Sequence, residues 1–356
     1  MSEPASNPLI PAKGAGLVRI WLLVVAAMVY GMILVGGATR LTDSGLSITE
    51  WKPLLGAIPP MNERDWADAF ANYQAKTAQF HQMNPNMDLG GFKAIYWWEW
   101  AHRELGRTIG VVFALPLLAF WLTGRTTRKL MPHLLVLFAL GGLQGLIGWW
   151  MVASGVNTEL VTVAPYRLMT HFCLALLIIC YCFWLWMELG GKARPPAPDA
   201  ARLWARGLLA VAAVQMALGA LVAGLDAGRG YTDWPMMAGR IVPEAMWALD
   251  PFWRNFLENE ATTQFMHRMT AYLLLIAALV AAVRFREAKG AGFVLFAGLV
   301  GWQAVLGVLT LVNAAPLDLS LTHQALGTVV LLGAVRLVWR TSVRSETVGE
   351  GASAPA

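Results

Sequence analysis

The sequence predicts an all-α, polytopic membrane protein in which eight transmembrane helices form two repeated four-helix bundles. Of the 356 residues 57% are hydrophobic and only 14% are charged, and the mean hydropathy is +0.52, outside the range of ordinary soluble domains. A helix that crosses the hydrocarbon core needs about 20 mostly apolar residues. Eight such runs follow one another, at residues 17–36, 103–123, 131–153, 167–189, 203–224, 264–284, 290–312 and 321–340.

The basic residues predict how these spans are oriented. More than half of the lysines and arginines lie near 13–19, 125–129, 192–206, 284–289 and 336–344, which alternate with the other connections along the chain. Cytoplasmic loops carry the excess of positive charge, and an even number of crossings leaves both termini on one side. We therefore expect both termini in the cytoplasm. The net charge of +5 reflects this orientation and gives no support to nucleic-acid binding.

An internal repeat divides the chain into a first half (1–190) and a second half (203–345), joined by a polar linker (191–202) and followed by a tail (346–356) predicted to be disordered. Because each half has an even number of crossings, the repeats are parallel, and each half can form a four-helix bundle with sites between facing helices. The alignment pairs the following segments: 33–37 with 220–224, His102-Arg103 with His267-Arg268, Gln144 and Gly148 with Gln303 and Gly307, and Thr170-His171 with Thr322-His323.

Four histidines in matching positions, His102, His171, His267 and His323, are the candidate ligands. A neutral imidazole binds iron well, and an ionisable residue within a membrane span indicates function because burying it in lipid is costly. A single histidine at a helix start is typically a capping or interfacial residue, but four in register favour two bis-histidine iron sites. Zinc also uses histidine, although the cysteine and acidic ligands of a structural zinc site are not evident nearby.

Glycines and arginines near these histidines suit heme, and each has a second explanation. Glycine is dense in the spans that carry or face the histidines, where it leaves room for a flat ring or allows close helix packing. Arg103 and Arg107 share a helix face, and Arg268 matches Arg103 in the second half. All three are candidates for binding heme propionates, or they extend to the membrane interface as long basic side chains do.

One position distinguishes the two halves chemically. Glu99 lies three residues before His102, whereas Gln264 lies three residues before His267. Residues three apart share one face of a helix, so a carboxylate is beside one iron site and a neutral amide beside the other. Only the first half is equipped for acid–base chemistry. The alternative role of Glu99 is favourable placement in the first turn of a helix.

Two outer loops have helical patterns of their own. Between Asn62 and Phe80 apolar residues recur every three or four positions, which predicts an amphipathic helix, and Asn62 with Asp65 predicts its start. The Asp250-Pro251 pair predicts a second, short helix, because proline is favoured in the first helical turn.

Four stretches together resemble the heme A synthases. They are GGATRLTDSGLS at 36–47, FKAIYWWEWAHRELGR at 92–107, QGLIGWWMVASG at 144–155 and QFMHR at 264–268. The resemblance extends over about residues 30–330. It implies an eight-helix enzyme of the bacterial inner membrane that oxidises the methyl group at ring position 8 of heme O to a formyl group, giving heme A for cytochrome c oxidase.

Carried over by position, the resemblance makes His102 and His171 the ligands of the substrate heme O, with Glu99 as the catalytic carboxylate. It makes His267 and His323 the ligands of a heme b cofactor that passes electrons. The partners it implies are the enzyme that makes heme O, an electron-transfer protein and further copies of the chain. Some relatives have a cysteine pair in the first outer loop, which this sequence lacks, so it is closer to the proteobacterial and mitochondrial type.

Two other functions fit the same histidines. A heme transporter or chaperone would bind and release heme without altering it. A diheme, quinone-linked cytochrome would transfer electrons and make no modified heme. Detection of formyl heme separates the enzyme from both.

Overall fold

The computed structural model describes residues 9, 14–52, 55–287 and 292–343. The tail predicted to be disordered, 346–356, lies outside these residues. Within them the regular structure is helical, and the α-helices follow in this order: α1 (Ala15–Leu41), α2 (Glu63–Lys76), α3 (Ala78–Met83), α4 (Leu89–Leu122), α5 (Met131–Val152), α6 (Pro165–Glu188), α7 (Asp199–Gly224), α8 (Ala227–Gly230), α9 (Asn255–Glu258), α10 (Glu260–Arg284), α11 (Phe293–Val312) and α12 (Leu317–Arg340). Short 3-10 helices are at Leu55–Ala57, Glu244–Trp247 and Phe252–Arg254.

Eight helices of the described chain are long and apolar enough to cross a membrane, namely α1, α4, α5, α6, α7, α10, α11 and α12. This confirms the eight predicted spans. The second predicted span, 103–123, corresponds to the C-terminal part of α4, which begins earlier, at Leu89. Hydropathy missed its first turns because Glu99 and Arg103 interrupt the apolar run there, although the helix continues through them. His102 therefore lies well inside α4.

Aromatic packing holds the early start of α4 in place. The side chain of Asp88 caps the helix by accepting from the backbone N–H of Gly91 at 2.8 Å. Phe92 and Tyr96 are then buried in an aromatic cluster with Trp66 and Tyr73 of α2. The segment between α1 and α4 is thus packed onto the membrane helix that carries His102.

The amphipathic helix predicted for 62–80 is present but divided. Asn62 caps α2 by accepting from the backbone N–H of Asp65 at 2.9 Å, as predicted. Thr77 has extended backbone angles and ends α2. Its hydroxyl then accepts from the backbone N–H of Phe80 at 3.3 Å and caps α3. After Asp250-Pro251 the predicted short helix is a 3-10 turn followed by α9.

The long helices make corresponding contacts in both halves, except that α4 contacts α5 much less than α10 contacts α11. Helix α1 packs against α4 and α6, and α5 packs against α6. Correspondingly, α7 packs against α10 and α12, and α11 packs against α12. Contacts of α6 with α7 and of α1 with α12 join the halves, and one hydrophobic core extends through both of them. The predicted linker 191–202 is shorter than expected, because α7 begins at Asp199.

Candidate functional site

Each of the four histidines lies against a glycine of a neighbouring helix. A Cβ atom added to the glycine would lie 2.9–3.1 Å from the nearest atom of the imidazole ring in every case, closer than van der Waals contact allows. The pairs are His102 with Gly36 of α1, His171 with Gly148 of α5, His267 with Gly219 of α7, and His323 with Gly307 of α11. Any side chain at these glycines would displace the ring, so the glycines are what allows each histidine its position.

These contacts correct the sequence alignment of α1 with α7. The alignment matched the Leu-Val pairs of the two helices, whereas the histidine contacts match Gly36 with Gly219, four residues away from that register. Both helices end five residues after this glycine. Asp43 and Asp226, seven residues after it, both have positive φ, 52° and 53°. A shift of four residues is about one helical turn and preserves the apolar face, so sequence could not detect the error.

The second-half pair has a spacing suited to one metal ion between two imidazoles. The ring centroids of His267 and His323 are 6.4 Å apart, with planes at 78°. Bonds of about 2 Å from an ion to a nitrogen on either side place two imidazole centroids roughly 6 Å apart. The pair therefore fits an iron held by two axial histidines.

A cavity of about 680 Å³ touches all four histidines. Its lining is mainly apolar, as a tetrapyrrole requires, and includes Arg40, Arg229 and Arg268. Among the described residues there is no group of three or more His, Cys, Asp and Glu side chains placed to hold a metal ion. Two histidines in each half and an apolar cavity that touches all four of them fit heme.

Glutamine lies against three of the four histidine rings. The Gln215 Nε2 atom is 3.1 Å from His267 Nδ1, and the Gln303 Nε2 atom is 3.1 Å from His323 Nδ1. Gln144 Nε2 lies instead against the other ring nitrogen, 3.4 Å from His171 Nε2, and His171 Nδ1 has no hydrogen-bond partner among the described residues. Each of these glutamines is four residues before the glycine that contacts its histidine, and sequence reasoning missed the one in α7.

Glu99 is buried, with 3% of its surface exposed, and both of its carboxylate oxygens are hydrogen-bonded. Oε2 accepts from the Ser47 hydroxyl at 2.7 Å and from the Ile48 backbone N–H at 2.8 Å. Oε1 accepts from Arg103 at 2.6 Å. Glu99 therefore fastens the loop after α1 to the helix that carries His102.

Gln264 fastens the corresponding loop of the second half to its histidine helix. It is 2% exposed, and its Nε2 donates to the backbone carbonyls of Ala227 at 2.7 Å and Tyr231 at 3.0 Å. Its Oε1 accepts from Arg268 at 3.2 Å. The loop after α7 is thus fastened to α10 through the position that matches Glu99.

The arginines proposed for propionates are engaged with these loops. Arg103 donates to the carbonyls of Ile48 at 2.7 Å and Glu50 at 3.0 Å. Arg268 donates to three carbonyls between residues 231 and 236, and it also lines the cavity, which Arg103 does not. Arg107 pairs with the Glu104 carboxylate at 2.9 Å. The propionate role stays a prediction for all three.

A charged group that sequence reasoning missed joins the two halves beside the cavity. Arg40 at the end of α1 pairs with Asp43 at 3.2 Å and, across the halves, with Asp226 at 2.9 Å. Arg229 approaches the same Asp226 carboxylate at 4.0 Å. Burial raises the pKa of Asp43, and Asp226 adds to this, while Arg40 opposes it. The signal in the sequence was the aspartate that follows both α1 and α7, hidden by the misaligned register.

Comparison with known proteins gives a consistent family. Residues 19–335 match the family COX15-CtaA, described as cytochrome oxidase assembly protein. A heme A synthase of Hyphomonas neptunium is 54% identical over 96% of both chains. Heme A synthases of Bradyrhizobium diazoefficiens and of a Chelativorans species are 50% and 48% identical over 94% and 91% of both chains.

Proposed function

The chain belongs to the COX15-CtaA family of cytochrome oxidase assembly proteins, and from this premise we infer that it acts as a heme A synthase. It oxidises the methyl group at ring position 8 of heme O to a formyl group, giving heme A for cytochrome c oxidase. Relatives at about 50% identity over nearly the whole chain carry the name of this enzyme. They give no support to a heme transporter or a quinone-linked cytochrome.

We propose that the first half binds the substrate heme O through His102 and His171. The packing of the helices beside these ligands supports this assignment. Helices α4 and α5 make few contacts with each other, whereas α10 and α11 pack closely. A substrate must enter and leave, and the looser pair provides a path from the bilayer for a hydrophobic molecule.

Open space at glycines of α4 and α5 accompanies the looser packing. Gly110, Gly141 and Gly145 have open space where a Cβ would be. By their spacing from the histidine and glutamine of each half, the corresponding residues of the second half are Leu275, Val300 and Ala304. Of these Val300 is buried and the other two are partly buried.

The second half holds the heme b cofactor through His267 and His323, and this group supplies an electron relay when bound. The 6.4 Å spacing of the two rings supports this, as does the closer packing of α10 on α11. The two halves, 1–190 and 203–345, are then a substrate domain and a cofactor domain. Arg268, which lines the cavity, is the best placed of the three arginines to contact a propionate.

Glu99 is the proposed catalytic carboxylate. The main support for this role is that the matching position in the second half is occupied by a neutral amide, Gln264. Glu99 lies one turn before His102 on the same helix. Three donors hold the carboxylate at a fixed position. Oε2 accepts two of these hydrogen bonds, whereas Oε1 accepts only from Arg103 and keeps a lone pair that can accept a proton. Glu99 accepts a proton, or stabilises positive charge, as the methyl group is oxidised through an alcohol to the aldehyde.

We propose that the protein lies in the bacterial inner membrane with both termini in the cytoplasm. Arginines at the helix ends remote from the histidines support this orientation, since basic residues mark the cytoplasmic side. The proposed partners are the enzyme that makes heme O, an electron-transfer protein and further copies of the chain.

Formation of formyl heme tests this function. Protein purified after expression with a heme O supply should yield heme A when its hemes are extracted and analysed by mass spectrometry. Glu99→Gln should keep both hemes in the absorption spectrum and lower formyl product about 10²-fold or more, the range for a lost acid–base group. Full conversion by this variant would remove Glu99 from the mechanism.

Ser47→Ala is the matched control, because it removes one loop hydrogen bond and leaves the carboxylate. It should lower stability by about 1 kcal/mol and keep formylation. Equal loss of product in both variants would mean that Glu99 acts by anchoring the loop. Bound heme O without any formyl product in the wild-type protein would contradict the proposed enzyme.

A further inference from the structure

Three of the four histidine–glycine contacts have a glutamine four residues before the glycine, and the fourth has a methionine. Gln144, Gln215 and Gln303 precede Gly148, Gly219 and Gly307. Met32 precedes Gly36 on α1, the helix that faces His102. The exception is therefore one ligand of the proposed substrate site.

The three glutamines share a second property. The Oε1 atom of each is buried and has no hydrogen-bond partner among the described residues, although each Nε2 lies against a histidine ring. Gln144 and Gln303 also donate Nε2 to the backbone carbonyls of His171 at 3.1 Å and His323 at 3.0 Å, which fixes their amides. Gln215 Nε2 makes no backbone hydrogen bond among the described residues, so its amide oxygen and nitrogen can exchange places by a half-turn of the side chain. A histidine that binds metal through one nitrogen needs an acceptor for the N–H of the other, and an unpaired amide oxygen beside the ring is suited to that.

Met32 cannot serve in this way. Its thioether is a weak acceptor, and its terminal methyl lies toward Gly106 of α4, 3.5 Å from where a Cβ of that residue would be. Met32, Gly36 and His102 all line the cavity. Across the part of the chain that the structure describes, the side chain of His102 makes no hydrogen bond. Its ring is held by packing alone.

We propose that Met32 makes His102 the exchangeable axial ligand of the first half. The iron of a substrate heme is then held firmly by His171 and weakly by His102, which allows product to leave. This inference rests on the proposed function, because it takes the first-half pair as the substrate site. Partners that orient a metal-binding histidine typically change affinity about 10–100-fold, enough to separate a site that releases heme from one that retains it.

The experiment compares heme release from the purified, heme-loaded full chain. Release is followed by transfer to excess apomyoglobin, and carbon monoxide binding to the reduced protein reports which iron gives up an axial ligand. The wild-type protein should release heme in a fast and a slow phase and bind carbon monoxide at one heme. Met32→Gln should slow the fast phase about 10-fold and reduce carbon monoxide binding.

Two further variants keep the test decisive. Gln215→Met, the reverse change, should speed the slow phase by a similar factor. Met28→Gln places the same new amide one turn before Met32 on α1, outside the cavity lining, and should leave both phases unchanged. Wild-type release rates in Met32→Gln and Gln215→Met would overturn the inference. If Met32→Gln does not fold, unchanged release from Gln215→Met overturns it alone.

Failure of the proposed function has a different signature. Wild-type protein without heme in either half would overturn both proposals. Two bound hemes with formyl product, but release rates insensitive to residues 32 and 215, would overturn only the assignment of Met32.

Discussion

The loop after α1 and the loop after α7 are fastened to the next histidine helix at matching positions but with opposite hydrogen-bond polarity. In the first half, Glu99 accepts from the hydroxyl of Ser47 and the backbone N–H of Ile48. In the second half, Gln264 donates to two backbone carbonyls. An acceptor meets donors in one loop, and a donor meets acceptors in the other.

Because of this difference in polarity, the Glu99–Gln264 asymmetry has a structural explanation as well as a catalytic one. Sequence alone indicates a carboxylate for acid–base chemistry in the first half. The structure adds that the two loops require different groups, because a carboxylate cannot donate to carbonyls. The Glu99 position thus combines a structural task with the proposed chemical one, and only variants that separate the two tasks assign the chemistry.

The largest expected effect is loss of heme when the histidine–glycine contact that both halves share is disturbed. Gly148→Ala and Gly307→Ala place a methyl group 2.9 Å from the imidazole rings of His171 and His323. The ring must move, so each variant should lose most of the heme of its own half and about 1–3 kcal/mol of stability, as overpacking does. Heme content per protein, measured by absorption of extracted heme, checks this.

The control lies on the same helix. Gly145→Ala adds its methyl group in open space and should keep the full heme content. If Gly148→Ala also kept the full heme content, the close approach of the His171 ring to α5 would have no role in binding heme. The two halves would then share their helix arrangement but not the function of the histidine–glycine contact.

A change at Gln264, which fastens the loop after α7 to α10, should lower stability while leaving the histidine ligands in place. Gln264→Glu brings a carboxylate against the carbonyl oxygens of Ala227 and Tyr231, which both lose the donor that Gln264 Nε2 provides, although Tyr231 keeps its hydrogen bond from Arg268. Unpaired buried groups cost about 1–3 kcal/mol each, and Arg268 offsets part of this. Thermal unfolding in detergent at neutral pH should show a clearly lower Tm.

The reverse change, Glu99→Gln, should be milder for stability. An amide oxygen still accepts from the loop after α1, and only the charge of the pair with Arg103 is lost. An equal or greater fall in Tm for Glu99→Gln than for Gln264→Glu would contradict the opposite polarity of the two loops.

The sequence predicts the parts of this molecule that depend on apolar length and on rare residues. Eight spans follow from runs of about 20 apolar residues, and four histidines stand out because such residues are rare in membrane helices. The early start of α4 was not predicted, since aromatic contacts with Trp66 and Tyr73 depend on a loop distant in sequence.

The register of α1 and α7 shows a second limit. Both helices are apolar on most sides, and their Leu-Val pairs align well one turn away from the register that the histidine contacts require. Only the contacts of Gly36 and Gly219 with imidazole rings identify Met32 as the counterpart of Gln215. Met32, the residue beside the ligands that differs between the halves, could therefore be identified only from the structure.

The smallest expected effect is a pH dependence at the aspartates that match across the halves. Burial, reinforced by Asp226, raises the pKa of Asp43 above its ordinary value, so the folded protein binds this proton more tightly than the unfolded chain. Stability is therefore reduced above the folded pKa and recovers as the pH falls through it toward the unfolded value. Asp43→Asn should raise Tm relative to wild type more at pH 7 than near pH 4.

Arg40 keeps Asp226 as a partner in this variant, and solvent screens the half-exposed carboxyl, so the difference should be small. An equal change in Tm at both pH values would mean that the ion pair with Arg40 cancels the effect of burial on the pKa of Asp43, so that Asp43 titrates as in the unfolded chain.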